Sequence, residues 1–210
     1  MQEKYLKLAY ALAVITIIYN LAEGIASVWL GWDGGAFSLI GFGLDSFVEV
    51  VSAAGILHMI RKRRIHEHGH DQFERRALTI TGGGFYVLAA GLAATAAYNF
   101  YTGHKPDTAF WGIVISAISI SSMWLLMGLK LKAGRALGSD AIIADAACTK
   151  TCLYLSVVLL AASLGYELTG YGWLDSLGSF GIAWLSFREG REAFGKANGK
   201  ACSCCSCGED

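Results

Sequence analysis

The chain has 210 residues, 54% of them hydrophobic and 16% charged, and its formal net charge is zero. Its mean hydropathy of +0.45 is high for a soluble protein and ordinary for a polytopic membrane protein, and the balanced charge excludes a bulk field suited to nucleic acid. One proline against 26 glycines leaves helices unbroken and lets them approach closely, whereas a soluble helical bundle would need polar faces that these runs lack.

Six apolar segments follow in order, at 5–30, 36–60, 77–101, 108–131, 140–164 and 171–187. Each is near the ~20 residues needed to cross a bilayer. The first is too long for a signal-peptide core and lacks a small-residue cleavage pattern, so it reads as a retained span. The expected fold is an all-α membrane protein of six transmembrane helices. Residues 1–187 form the transport domain, 61–76 a basic, His-containing loop, and 188–210 a tail too short for its own core. Of the 17 Lys and Arg residues, Lys105 alone falls in an outer loop and Lys150 lies well inside a span, if both termini are cytoplasmic. The remainder, Lys130 among them, fall on inner segments, a strong positive-inside bias. Trp29, Trp32, Trp111 and Trp173 fit an outer aromatic belt, while Trp124 and Trp184 lie deeper and are expected to pack.

Two spacings inside these spans carry chemistry. Asp45-Ser-Phe-Val-Glu49 and Cys148-Thr-Lys-Thr-Cys152 each place two side chains at i, i+4, on one helix face. Ionisable groups are rare in hydrocarbon and usually functional there. Counted along the helices, Asp45 and Glu49 lie roughly 14–20 Å from the outer edge, and Cys148 and Cys152 roughly 12–18 Å from the inner edge. Both pairs therefore reach the midplane, where two carboxylates and two thiolates would suit a tetrahedral zinc-like ion or softer Cd²⁺ or Hg²⁺. The plainer reading makes the cysteines small buried apolar residues.

The stretch Gly34-Gly-Ala-Phe-Ser-Leu-Ile-Gly-Phe-Gly-Leu-Asp-Ser-Phe-Val-Glu49 resembles the second span of the cation diffusion facilitator family. Ala144-Asp-Ala-Ala-Cys-Thr-Lys-Thr-Cys152 resembles its fifth span, and Trp173-Leu-Asp-Ser-Leu-Gly-Ser179 with Arg188-Glu-Gly its sixth span and exit. The resemblance covers all six spans. It implies a secondary transporter that exports a divalent metal, usually in exchange for protons. The transport site would fall on Asp45, Glu49, Cys148 and Cys152. In that family span two commonly gives Asp or His four residues before Asp, and span five gives His four residues before Asp. Glu49 and both cysteines depart from that pattern and favour a softer cargo. The family's usual cytoplasmic domain is missing, as in a short, transmembrane-only branch. A homodimer is implied, for which glycines such as Gly82, Gly83, Gly84 and Gly91 would permit close packing. The expected location is the plasma (inner) membrane, and the metal is cargo, with no catalytic residue or catalytic cofactor.

Other intramembrane charges are candidates for tuning the site. Lys150 points away from the cysteine face and reads either as a partner of Asp145, Glu23 or Asp175 or as a cation that adjusts proton or metal affinity. Glu23, one turn after Asn20, reads as a vestibule or hydrogen-bonding residue, and Asp175 as a helix-terminal one. On the cytoplasmic side, His66, His68 and His70 form a weak metal signature in a charged loop. Cys202, Cys204, Cys205 and Cys207 pack four thiols into C-x-C-C-x-C, which suits soft-metal capture or delivery; the alternative is a flexible end. Two further functions stay open. One is a membrane protein that binds, senses or delivers metal without transporting it. The other is an intramembrane thiol–disulfide enzyme, for which the mid-helix C-x-x-x-C is poorly placed.

Overall fold

Helix ends in this protein are set by caps and turns rather than by where the apolar runs stop. The computed structural model describes the backbone of residues 2–61, 72–103, 107 and 109–197. Within them lie six helices: α1 (Gln2–Asp33), α2 (Phe37–Arg61), α3 (Gln72–Thr102), α4 (Phe110–Leu137), α5 (Asp140–Thr169) and α6 (Trp173–Ala197). Among the described residues all regular structure is helical. The histidines 66, 68 and 70 and the cysteines 202, 204, 205 and 207 lie outside the described residues.

Several helices run past the expected spans. The basic stretch 132–137 continues α4, which ends at Gly138, at φ 59°. In that left-handed conformation its N–H reaches the carbonyls of Arg135 and Gly134, a glycine C-cap. Residues 165–169 likewise continue α5 as far as Gly170 at φ 69°. The charged run Arg188–Glu192 is part of α6 rather than of a tail.

Among the described residues four helices, α1, α2, α4 and α5, are long and apolar enough to cross a bilayer. The C-terminal half of α6 is charged, and α3 begins on Gln72-Phe-Glu-Arg-Arg. These two helices pack chiefly on each other, α1 packs on α2, and α4 on α5. The α3–α6 seam is close at two glycines: a Cβ added to Gly82 would lie 2.9 Å from the Phe194 ring, and one added to Gly190 would lie 3.2 Å from the Gly82 carbonyl. Gly82 is therefore consumed within the chain and is not a surface for a second copy. Gly83, Gly84 and Gly91 have nothing within 4 Å of an added Cβ.

Trp29 and Trp32 are largely exposed, and Trp111 and Trp173 partly so, as an interfacial belt requires. Trp124 and Trp184 are also exposed, at 70% and 64%. They face outward on a bundle whose surroundings are apolar, and do not pack inside it as expected.

α2 is the hub, touching α1, α3, α5 and α6. Two apolar clusters meet along it. One gathers Leu12, Met59, Met123, Leu126 and Ile142; the other gathers Leu39, Phe42, Leu92, Leu155 and Ile182. On α2 the interval between Phe42 and Met59 holds Asp45 and Glu49. On α5 the interval between Ile142 and Leu155 holds Asp145, Thr149 and Cys152.

Candidate metal-transport site

Helices α2 and α5 cross these intervals in antiparallel register, and their polar side chains meet in successive layers one turn apart. In the first layer the Cys152 thiol donates to Asp45 Oδ2 at 3.4 Å. One turn on, the Thr149 hydroxyl donates to Glu49 Oε1 at 2.7 Å. A further turn on, the Ser52 hydroxyl donates to Asp145 Oδ1 at 3.1 Å. The same register puts Cys148, half-buried, level with Glu49. Asp45, Glu49 and Asp145 are each almost wholly buried.

The three carboxylates differ in what they keep open. Asp145 is engaged at both oxygens, since the Lys130 ammonium lies 2.9 Å from Oδ2. Asp45 Oδ1 and Glu49 Oε2 are buried without a hydrogen-bond donor. A buried carboxylate oxygen in that condition is costly unless something positive meets it. These two atoms, with the neighbouring thiols, are what a divalent cation would take. Cys148 and Cys152 are both thiols rather than a disulfide. Among the described residues no three His, Cys, Asp and Glu side chains are gathered into one ion-binding cluster. Glu49 Oε1 is held on Thr149, with the Lys130 ammonium 3.7 Å from it.

Lys130 is the residue that sequence reasoning missed. It was placed among the inner-side charges, whereas the structure buries it to 1% exposure. Its ammonium donates to Thr149 Oγ1 at 2.8 Å and lies 3.7 Å from Glu49 Oε1. A signal was present. Met123, Leu126, Lys130, Ala133 and Leu137 are all buried on one face of α4, with the 3–4 spacing of a core stripe. Lys132 and Arg135 fall off that stripe and are exposed.

The other candidates separate from this centre. Lys150 pairs with none of the three acids proposed for it; it is exposed, its ammonium 5.8 Å from the Tyr154 ring centroid. Glu23 accepts from the Tyr19 hydroxyl at 2.8 Å and from the Ser46 hydroxyl at 3.1 Å, tying α1 to α2. Asp175 accepts from the backbone N–H groups of Phe37 and Ser38 at 3.2 and 3.3 Å and from the Ser38 hydroxyl. It thus caps the start of α2 from α6, as a carboxylate at a helix N-terminus should. Glu189 accepts from the Thr151 hydroxyl at 3.0 Å, linking α5 to α6.

The chain's residues 8–197 match the model of the cation efflux transmembrane domain. The chain belongs to this family. The cation efflux family comprises membrane transporters of metal cations, not enzymes, which agrees with buried ligand-type residues on long apolar helices. Among similar proteins is one called an uncharacterized transporter, sll1263, from Synechocystis sp. (strain ATCC 27184 / PCC 6803 / Kazusa). It is 25% identical over 175 residues, covering 78% of this chain and 56% of its own length. The chain thus spans just over half the length of that relative.

Proposed function

We propose that the protein is a secondary transporter exporting a divalent transition or heavy metal from the cytoplasm, with Zn²⁺, Cd²⁺ or a softer ion such as Hg²⁺ as cargo. All six helices cross the plasma (inner) membrane, with both termini cytoplasmic, and the chain works as a homodimer. The observation that carries this reading is the buried meeting of Asp45 with Cys152, beside two carboxylate oxygens that lack protein donors. Cytosolic metal binds Asp45, Glu49, Cys148 and Cys152 near the midplane. The bundle then alternates its access, as transporters with midplane sites do, and protons exchange for the metal at the carboxylates. Thiolate ligands bias the site toward soft ions. The residues Cys202, Cys204, Cys205 and Cys207 serve as a capture end for the same cargo.

The test is metal flux in proteoliposomes carrying the Cys148→Ser/Cys152→Ser double variant, with elemental analysis of the purified protein. Loss of flux and a lower metal stoichiometry, with helicity and thermal stability retained, is expected. Full transport by the double variant would sink the site assignment. Metal binding without flux in the unmodified protein would make it a membrane metal-binding or delivery protein instead.

A further inference from the structure

A lysine with almost no solvent exposure in an apolar bundle has to be explained by what it neutralises. Lys130 serves two acids at once. Its bond to Asp145 at 2.9 Å is an ordinary ion pair, with the second Asp145 oxygen already satisfied by Ser52. That pair alone would fulfil a structural role. The contact continues, however, through Thr149, which accepts from Lys130 at 2.8 Å and donates to Glu49 at 2.7 Å. The ammonium itself lies 3.7 Å from the same Glu49 oxygen. The result is a donor relay, ammonium to hydroxyl to carboxylate, that ends on one oxygen of Glu49 and leaves the other without a donor.

We propose that Lys130 is a tethered counter-cation of the ion site, holding Glu49 through Thr149 until a divalent metal displaces it. The proposal rests on the transport-site reading above. A buried ion pair is weak support for stability, because desolvation offsets its attraction; competition for Glu49 gives this one a use. An incoming ion gains Glu49 only if its attraction exceeds that of a fixed single charge already in place. A monovalent ion has no such advantage in charge, so the lysine selects for divalent cargo. It also keeps the site from binding too tightly: the ammonium waits beside Asp145 and recovers Glu49 when the metal leaves. Lys130 is a positioning residue here, since it acts on cargo through Glu49.

Replacing Lys130 alone strands Asp145, so the informative variant neutralises both partners. Cd²⁺ affinity is measured by calorimetry on the full chain in detergent, for the unmodified protein, K130R and K130Q/D145N, alongside competition by Na⁺ and thermal stability. If Lys130 competes with cargo, K130Q/D145N binds Cd²⁺ about tenfold more tightly, equivalent to about 1.4 kcal/mol, and becomes sensitive to Na⁺. K130R keeps the affinity and selectivity of the unmodified protein. A merely structural lysine would predict unchanged or weaker binding in the double variant, and that result overturns the inference while leaving the transport site standing. Absence of Cd²⁺, Zn²⁺ and Hg²⁺ binding in the unmodified protein overturns both. A Thr149→Val variant gives a second, independent measure, since it cuts the relay without removing a charge. It should also bind Cd²⁺ more tightly, and weaker binding at unchanged stability counts against the inference.

Discussion

Two carboxylate settings on α2 differ in one respect. At its N-terminus Asp175 reaches across from α6, and two backbone N–H groups and a hydroxyl converge on it. At its middle Asp45 and Glu49 each engage one oxygen and leave the other without a donor. Both settings are buried. The first is a finished cap whose charge is spent on the helix; the second retains capacity for a cation. In an apolar bundle an acid's role is read from what is left over after its partners are counted.

Substitutions can break this contrast, the largest effect coming at the unfinished end. Asp45→Asn should lower metal flux in proteoliposomes by about 100-fold or more, since even groups one shell removed from a metal typically cost 10–100-fold. Stability should fall little, because the amide still accepts from Cys152; a variant that transports normally would remove Asp45 from the site. Asp175→Ala should do the reverse. It should cost about 1–2 kcal/mol of stability by loss of a cap, read as a lower unfolding midpoint in detergent, with Cd²⁺ affinity unchanged. Deleting 201–210 should weaken soft-metal binding severalfold and reduce its stoichiometry, while Zn²⁺ flux through the bundle continues. The smallest effect belongs to Lys150→Met, an exposed position expected to stay within ~0.5 kcal/mol of the unmodified stability, with no change in Cd²⁺ affinity.

The sequence was informative where its signal was periodic or paired. Six apolar runs yielded six helices, and the i, i+4 spacings of Asp45/Glu49 and Cys148/Cys152 located the intervals where α2 and α5 meet. It was less informative where a residue's meaning depended on its neighbours across helices. Lys150 drew notice because it stands in an apolar run, yet it turns outward to Tyr154. Lys130 reads by position as an inner-edge charge, although it sits on the buried stripe of α4. Both are lysines on long apolar helices, and only the phase of the helix tells them apart. Trp124 and Trp184 failed for a related reason: in a bundle meant for lipid, a large apolar ring gains as much outside as inside. Helix ends were misplaced because hydropathy reports what the helix lies in, whereas Gly138 and Gly170 determine where it stops.

The closure of α3 on α6 through Gly82 and Gly190 has a mechanical consequence. A seam lined with long side chains can slip by trading one rotamer for another, each step small. At the one point where Gly190 approaches the Gly82 carbonyl there are no rotamers to trade, so the helices must part there before they can slide. That stiffens the α3–α6 pair at this point, whereas α2 meets α5 through the side chains of Asp45, Glu49, Thr149 and Cys152, which can exchange partners without the helices parting.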